Sequence, residues 1–156
     1  MTDSFVAQTR KRGRRTASLI KCKSGNKVKS YSESVVDNWL HENKFSFKYE
    51  PSITIEGEKL SPDWIIYGIK GRRFPTPIVV EYWGLLRKEG RAAWVAERLP
   101  KYMERKAYKE SLYFGSEFHF IGLFPEQLDD LTKTLASCIS LYAMDGKFDD
   151  TLILQT

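Results

Sequence analysis

Val35, Val36, Trp39 and Leu40 recur at helical spacing directly after Ser30-Tyr-Ser-Glu33, a stretch with the form of a capping box. The spacing predicts a first helix over residues 31–43, ending near Asn43. The period then falls to two. Phe45, Phe47 and Tyr49 alternate with Ser46, Lys48 and Glu50, as in a half-buried strand, and Pro51 ends or bends it. Ile53 and Ile55 alternate again, and residues 56–59 form a turn into a further apolar stretch at 60–67. Residues 68–75, with Gly68, Gly71 and Pro75, have turn character, whereas 78–83 read as an interior strand broken by Gly84.

From residue 91 to 114 the period is helical once more. Pro100 predicts a kink or two abutting helices there, because proline removes a backbone donor and crowds the preceding turn. A strand follows at 118–124, and Pro125 suits the first turn of a helix with an apolar stripe of Leu128, Leu131, Leu135 and Ile139. A last apolar run at 151–154 predicts an edge strand or a docked tail. The order of elements predicts an α/β fold, a central mixed sheet flanked by helices, with at least one connection long enough to join parallel neighbours.

Composition fits that picture. With 156 residues, 42% of them apolar and 29% charged, the chain can bury one sizeable core. No run approaches the roughly 20 apolar residues of a membrane span. The start, MTDSFVAQTRKRGRR, lacks the apolar stretch of a secretory signal, so a cytoplasmic or nucleoid-associated location is expected. Cys22, Cys138, His41 and His119 have no zinc-ligand spacing, and the cysteines read as free thiols.

Charge is spread unevenly. Arg10, Lys11, Arg12, Arg14, Arg15, Lys21, Lys23, Lys27 and Lys29 precede Glu33 with only Asp3 to oppose them. This divides the chain into a flexible basic arm at 1–29 and a single domain at 30–156. Such an arm suits nucleic acid, since phosphates neutralise it and release counterions. Its bland counterpart is a solubilising tail.

One acid stands out. In the run PTPIVVEYWG, residues 75–84, Glu81 ends an apolar strand in which Val79, Glu81 and Trp83 share a face. A buried carboxylate needs compensation, either a basic partner or a metal ion. Asp63, after Pro62, opens the preceding strand. If the two strands are neighbours, Asp63 and Glu81 converge at one sheet edge and can share a divalent cation. Glu33 and Glu50 are within reach of such an ion from outside the central pair, although Glu33 also serves as a capping-box acid and Glu50 as a hairpin residue.

Pro62-Asp63 followed by an apolar strand ending in Glu81 resembles the core of the PD-(D/E)XK nuclease superfamily. The lysine expected two residues after the second acid is absent, and Trp83 stands in its place. The chain is most similar to a branch in which the strand ends as an acid, an aromatic or hydrophobic pair and glycine, here Glu81-Tyr-Trp-Gly84, and the lysine comes from the following helix. Tyr102, Arg105, Lys109 and Tyr113 match that helical signature, Glu33 the early acid and Glu50 a second one. The resemblance covers roughly residues 30–135. It implies a restriction-endonuclease-like fold and Mg²⁺-dependent (or Mn²⁺-dependent) hydrolysis of DNA, with Asp63, Glu81, Glu33 and Glu50 as metal ligands and Lys109 as catalytic lysine.

Lys106 and Lys88 remain substitutes for Lys109, and Lys106 or Arg105 is a candidate to grip the DNA backbone together with Arg10, Lys11, Arg12, Arg14 and Arg15. No nucleophile motif accompanies His41 or His119, and no phosphate-binding loop ending in Gly-Lys-Ser/Thr is present. Two other readings stand beside the nuclease: a nuclease-fold DNA-binding or assembly subunit without hydrolysis, and a basic structural protein whose acids only cap and pair. Paired active sites would imply a homodimer, for which Trp94, Leu99, Tyr102 or the segment around Ile153 are candidate contacts.

Overall fold

The structure, a computed structural model, describes residues 19–87 and 93–143. Ser30 caps the first helix, α1 (Tyr31–Glu42), accepting the backbone N–H of Glu33, as the capping pattern predicts. Ahead of it, β1 (Ile20–Lys21) and β2 (Lys27–Val28) form a small antiparallel hairpin. This hairpin falls within the stretch set apart as an arm: Cys22 and Val28 are buried, and Ser24 and Asn26 donate to Asp37 of α1. Two buried side chains and the Asp37 carboxylate hold this hairpin against α1.

Four strands make the central sheet, in the order β3 (Phe45–Tyr49), β6 (Trp64–Ile69), β7 (Arg72–Tyr82) and β8 (His119–Leu123). β6 runs antiparallel to both of its neighbours, β3 and β7, and β7 and β8 are parallel. A separate hairpin, β4 (Ile53–Ile55) with β5 (Glu58–Leu60), fills the link between β3 and β6. The crossover between β7 and β8 contains α2 (Ala93–Phe114), as a parallel pair requires. A 3₁₀ turn at Pro125–Asp130 leads into α3 (Leu131–Ala143).

Period-two alternation sorts the strand residues onto two cores. Trp64, Ile66, Ile78, Val80, Ile121 and Leu123 pack with α1 and α3 through Val36, Leu40, Leu135 and Ile139. On the other face Ile65, Val79 and Phe120 meet Leu112 and Tyr113 of α2 and Ile55 and Leu60 of the β4–β5 hairpin. Each fully buried side chain of this size contributes roughly 1.5–3 kcal/mol. The architecture is α/β with a central mixed sheet flanked by helices, the restriction-endonuclease-like arrangement.

Two local expectations are corrected. Residues 68–75 are not a loop: β6 runs to Ile69 and β7 starts at Arg72, leaving Lys70 and Gly71, both at positive φ, as the turn. Gly68 lies at a register shift, where an added Cβ would fall 2.0 Å from the Arg72 carbonyl oxygen. The segment between the paired residues Arg73 and Ile78 carries Pro75 and Pro77, whose missing donors fit an irregular stretch of ladder. Pro100 lies inside one helix rather than between two. The run at 151–154, with Ile153, and the bases Arg10, Lys11, Arg12, Arg14, Arg15 and Lys88 lie outside the described residues.

Candidate functional site

The antiparallel register of β6 and β7 assembles the site. Trp64 faces Val80 and Ile65 faces Val79, so continuing the ladder by one residue sets Asp63 opposite Glu81. Opposed residues share a sheet face, and this is the face that α2 covers. The Tyr82 backbone N–H donates to Asp63 Oδ2 at 2.7 Å, which fixes the carboxylate where the strands end.

Glu81 is 2% exposed. Its charge is answered from α2: Lys109 Nζ lies 3.2 Å from Oε2, and the Tyr113 hydroxyl donates to the same oxygen at 2.7 Å. Residues 109 and 113 are four apart and therefore side by side on the helix. Compensation of Glu81 thus comes from a lysine and a tyrosine of the chain itself, the first of them the basic partner that the sequence left open beside a metal ion. Among the described residues no donor bonds Glu81 Oε1 or Asp63 Oδ1.

The two acids repel each other. Burial first, then the Glu81 charge, push the Asp63 carboxyl up to about 7, against the Tyr82 N–H and Lys109, which favour the ionised form. Tyr113 is raised by burial and by Glu81, so it remains a hydroxyl donor. Tyr102 is pushed up to about 12, chiefly by burial.

Two adjoining cavities meet here, both lined by Asp63, Tyr82 and Tyr102. The smaller, about 160 Å³, adds Glu81, Trp83, Arg105 and Lys109. The larger, about 440 Å³, adds Lys29, Glu33, Glu50 and Arg87 among others. All four sequence-predicted acids therefore line one composite cleft, but they are not equivalent. Glu33 accepts from Tyr49 Oη (2.7 Å) and Ser30 Oγ (2.8 Å), one bond on each oxygen. Glu50 pairs with Lys29 at 2.8 Å, and its backbone N–H donates to the Asp63 carbonyl. Among the described residues, no three His, Cys, Asp or Glu side chains are grouped to hold a metal ion.

Lys106 is half-buried. Its ammonium pairs with Glu110 at 2.8 Å and lies over the Trp83 ring, 5.4 Å from the centroid. Arg105 is exposed and lines the smaller cavity. Sequence reasoning passed over Asp37, which is fully buried and accepts from Ser24, Asn26 and Trp64 Nε1. Its signal was present: Glu33, Val36, Asp37 and Leu40 follow the i, i+3, i+4, i+7 spacing of a buried stripe, and an acid within such a stripe implies a set of donors. Comparison with family models, curated proteins and solved structures gives no significant match.

Proposed function

We propose that the chain is a metal-dependent endonuclease that hydrolyses DNA phosphodiester bonds, built on the displaced-lysine branch of the PD-(D/E)XK superfamily. The observation that carries the reading is the pairing of Asp63 with Glu81 across β6 and β7, with Lys109 of α2 on Glu81. Two like-charged carboxylates, each with an oxygen that no described donor bonds, are hard ligands suited to Mg²⁺. That ion commonly takes one or two protein carboxylates and completes its shell with water and phosphate oxygens, so a third acid is not required. Asp63 and Glu81 would hold it, with Glu33 and Glu50 acting through water. When bound, the ion supplies an activated water and neutralises charge on the phosphate.

The protein's own groups do the rest. Asp63, raised to about 7, surrenders its proton readily near neutral pH when a cation approaches. Tyr113 and Lys109 hold the Glu81 carboxylate in one orientation, and on this reading the Lys109 ammonium would answer negative charge developing on a bound phosphate. Arg105, exposed and lining the smaller cavity, would meet a neighbouring phosphate.

A DNA-binding or assembly subunit without hydrolysis is the second reading, and Trp83 at the usual lysine position is what favours it. Cleavage of labelled linear, nicked, flapped and four-way DNA in Mg²⁺, Mn²⁺ or chelator separates the two. We expect metal-dependent cleavage by the intact protein, and losses of at least about a hundredfold in D63A and E81A with most DNA binding kept. Normal turnover in both variants would remove the assigned centre; binding without cleavage by the intact protein would favour the second reading.

A further inference from the structure

The outward face of α2 carries a stripe with its own chemistry. At 100° per residue, Trp94, Arg98, Lys101, Arg105 and Tyr108 fall along one line, and Tyr102 and Lys109 adjoin it on the side of the cleft. All five are exposed, including about half of each aromatic: Trp94 is 51% and Tyr108 47% exposed. Such large apolar rings are ordinarily covered when they lie on a helix against the core. Among the described residues, none of the three cations forms an ion pair. The acids Glu97 and Glu104 lie along the edge away from the cleft.

Each ring has a charged neighbour. The Arg98 guanidinium lies over Trp94, 5.3 Å from the ring centroid. The Tyr108 hydroxyl has Glu58 of β5 for a neighbour, whose negative charge, after partial burial, raises its pKa. From Trp94 to Tyr108 the stripe is about 21 Å long at 1.5 Å per residue, and through Arg105 it runs directly to the cavity lined by Asp63, Glu81 and Lys109.

We infer that this stripe is a binding track for an unpaired DNA strand, with bases stacking on Trp94 and Tyr108 and phosphates on Arg98, Lys101 and Arg105. The inference rests on the nuclease reading for its partner, and it specifies the substrate: DNA with a single-stranded segment leading into the cleft. The chemistry selects against a fully paired duplex. Duplex DNA offers phosphates to the three cations but keeps its base faces stacked inside, so the aromatic rings gain nothing from it, whereas every unpaired base has a face to offer. Cations alone would fit either form; it is their interleaving with exposed rings that favours the open strand.

The test is equilibrium binding of the full chain to labelled DNA in chelator, where cleavage is absent, so that its outcome is independent of whether the centre hydrolyses. Single-stranded, overhang-bearing and blunt duplex DNA of equal length are compared for the intact protein, W94A, Y108A and an R98A/K101A double variant. We expect single-stranded and overhang DNA to bind more tightly than blunt duplex. W94A and Y108A should each lose roughly tenfold on DNA with an unpaired segment and under twofold on blunt duplex, as expected for one stacking platform. R98A/K101A should weaken all three and flatten the salt dependence. Blunt duplex bound as tightly as single strand, or aromatic variants that lose nothing on the open strand, would overturn the track even if cleavage were intact. Loss of cleavage in D63A with these preferences unchanged would leave the track standing on its own. All substituted side chains are exposed, and unchanged thermal melting confirms that the comparison is between folded proteins.

Discussion

Asp63 and Asp37 are both carboxylates taken out of bulk water, and their surroundings give them opposite effects on stability. Asp37 has three donors on its two oxygens and no described acid paired against it. Asp63 has one backbone donor and a like-charged neighbour. For Asp63 the folded-state value of about 7 lies above the ordinary 3.8, so the unfolded chain releases this proton first. The resulting cost to the fold is absent below about pH 4, grows between about 4 and 7, and is constant above. In chelator, D63N should therefore stabilise the protein at pH 8, on the order of 1–4 kcal/mol, and change little near pH 4. D37A should do the reverse at any pH where the acid is charged, costing about 2–3 kcal/mol because the buried Trp64 Nε1–H and the hairpin donors lose their acceptor. Urea titrations at both pH values decide the pair, and a stabilising D37A or a destabilising D63N at pH 8 would contradict the electrostatics assigned here. The acid at the proposed centre is the one the fold tolerates poorly, a cost that a bound cation would relieve.

At the scale of elements, legibility in the sequence followed the strength of local period. β3 (Phe45–Tyr49) matches its alternating pattern residue for residue, and α1 (Tyr31–Glu42) its capping box and stripe to within one residue. The convergence of Asp63 and Glu81 was legible as a conditional, since it needed only that their strands be neighbours. The β6–β7 turn was misread because Gly68 and Pro75 are local breakers used for tertiary ends, a close strand approach and an irregular ladder. Lys109 and Tyr113 meeting on one oxygen was invisible as geometry, because it depends on where α2 docks. Gly122 was similarly silent. An added Cβ there would come 2.8 Å from Trp83 Nε1, so this β8 glycine is what lets the indole lie against the sheet beneath Lys106 and beside Tyr102. G122A should then cost about 1–3 kcal/mol despite the better strand propensity of alanine, by overpacking the floor of the cleft. The denaturant midpoint and tryptophan emission report it. An unchanged midpoint would mean that Trp83 shifts without cost.

At the scale of the whole molecule, cationic charge is supplied from two places that should do different work. The stripe on α2 is fixed to the folded frame and interleaved with rings, whereas Arg10, Lys11, Arg12, Arg14 and Arg15 precede the first described residue and have no aromatic interleaved among them. Charges of the second kind bind phosphate without regard to base exposure, and their contribution appears as counterion release. Because β1 and β2 are anchored to α1, a truncation that tests these bases while leaving the hairpin intact stops at residue 18. Removing 1–18 should leave thermal stability unchanged, since the bonds holding the hairpin lie within 22–37. It should weaken binding of single-stranded and duplex DNA by similar factors, more at 50 mM than at 200 mM salt, and reduce the slope of log affinity against log salt by up to about 4.5 if all five bases contact duplex phosphates. The aromatic variants of α2 should instead alter the preference between open and paired strands with little change in slope. Measured together, the two sets separate attraction from discrimination. A truncated chain whose salt slope matches that of the intact protein would assign the phosphate contacts to the folded domain alone, leaving Lys29, Arg98, Lys101 and Arg105 to account for them.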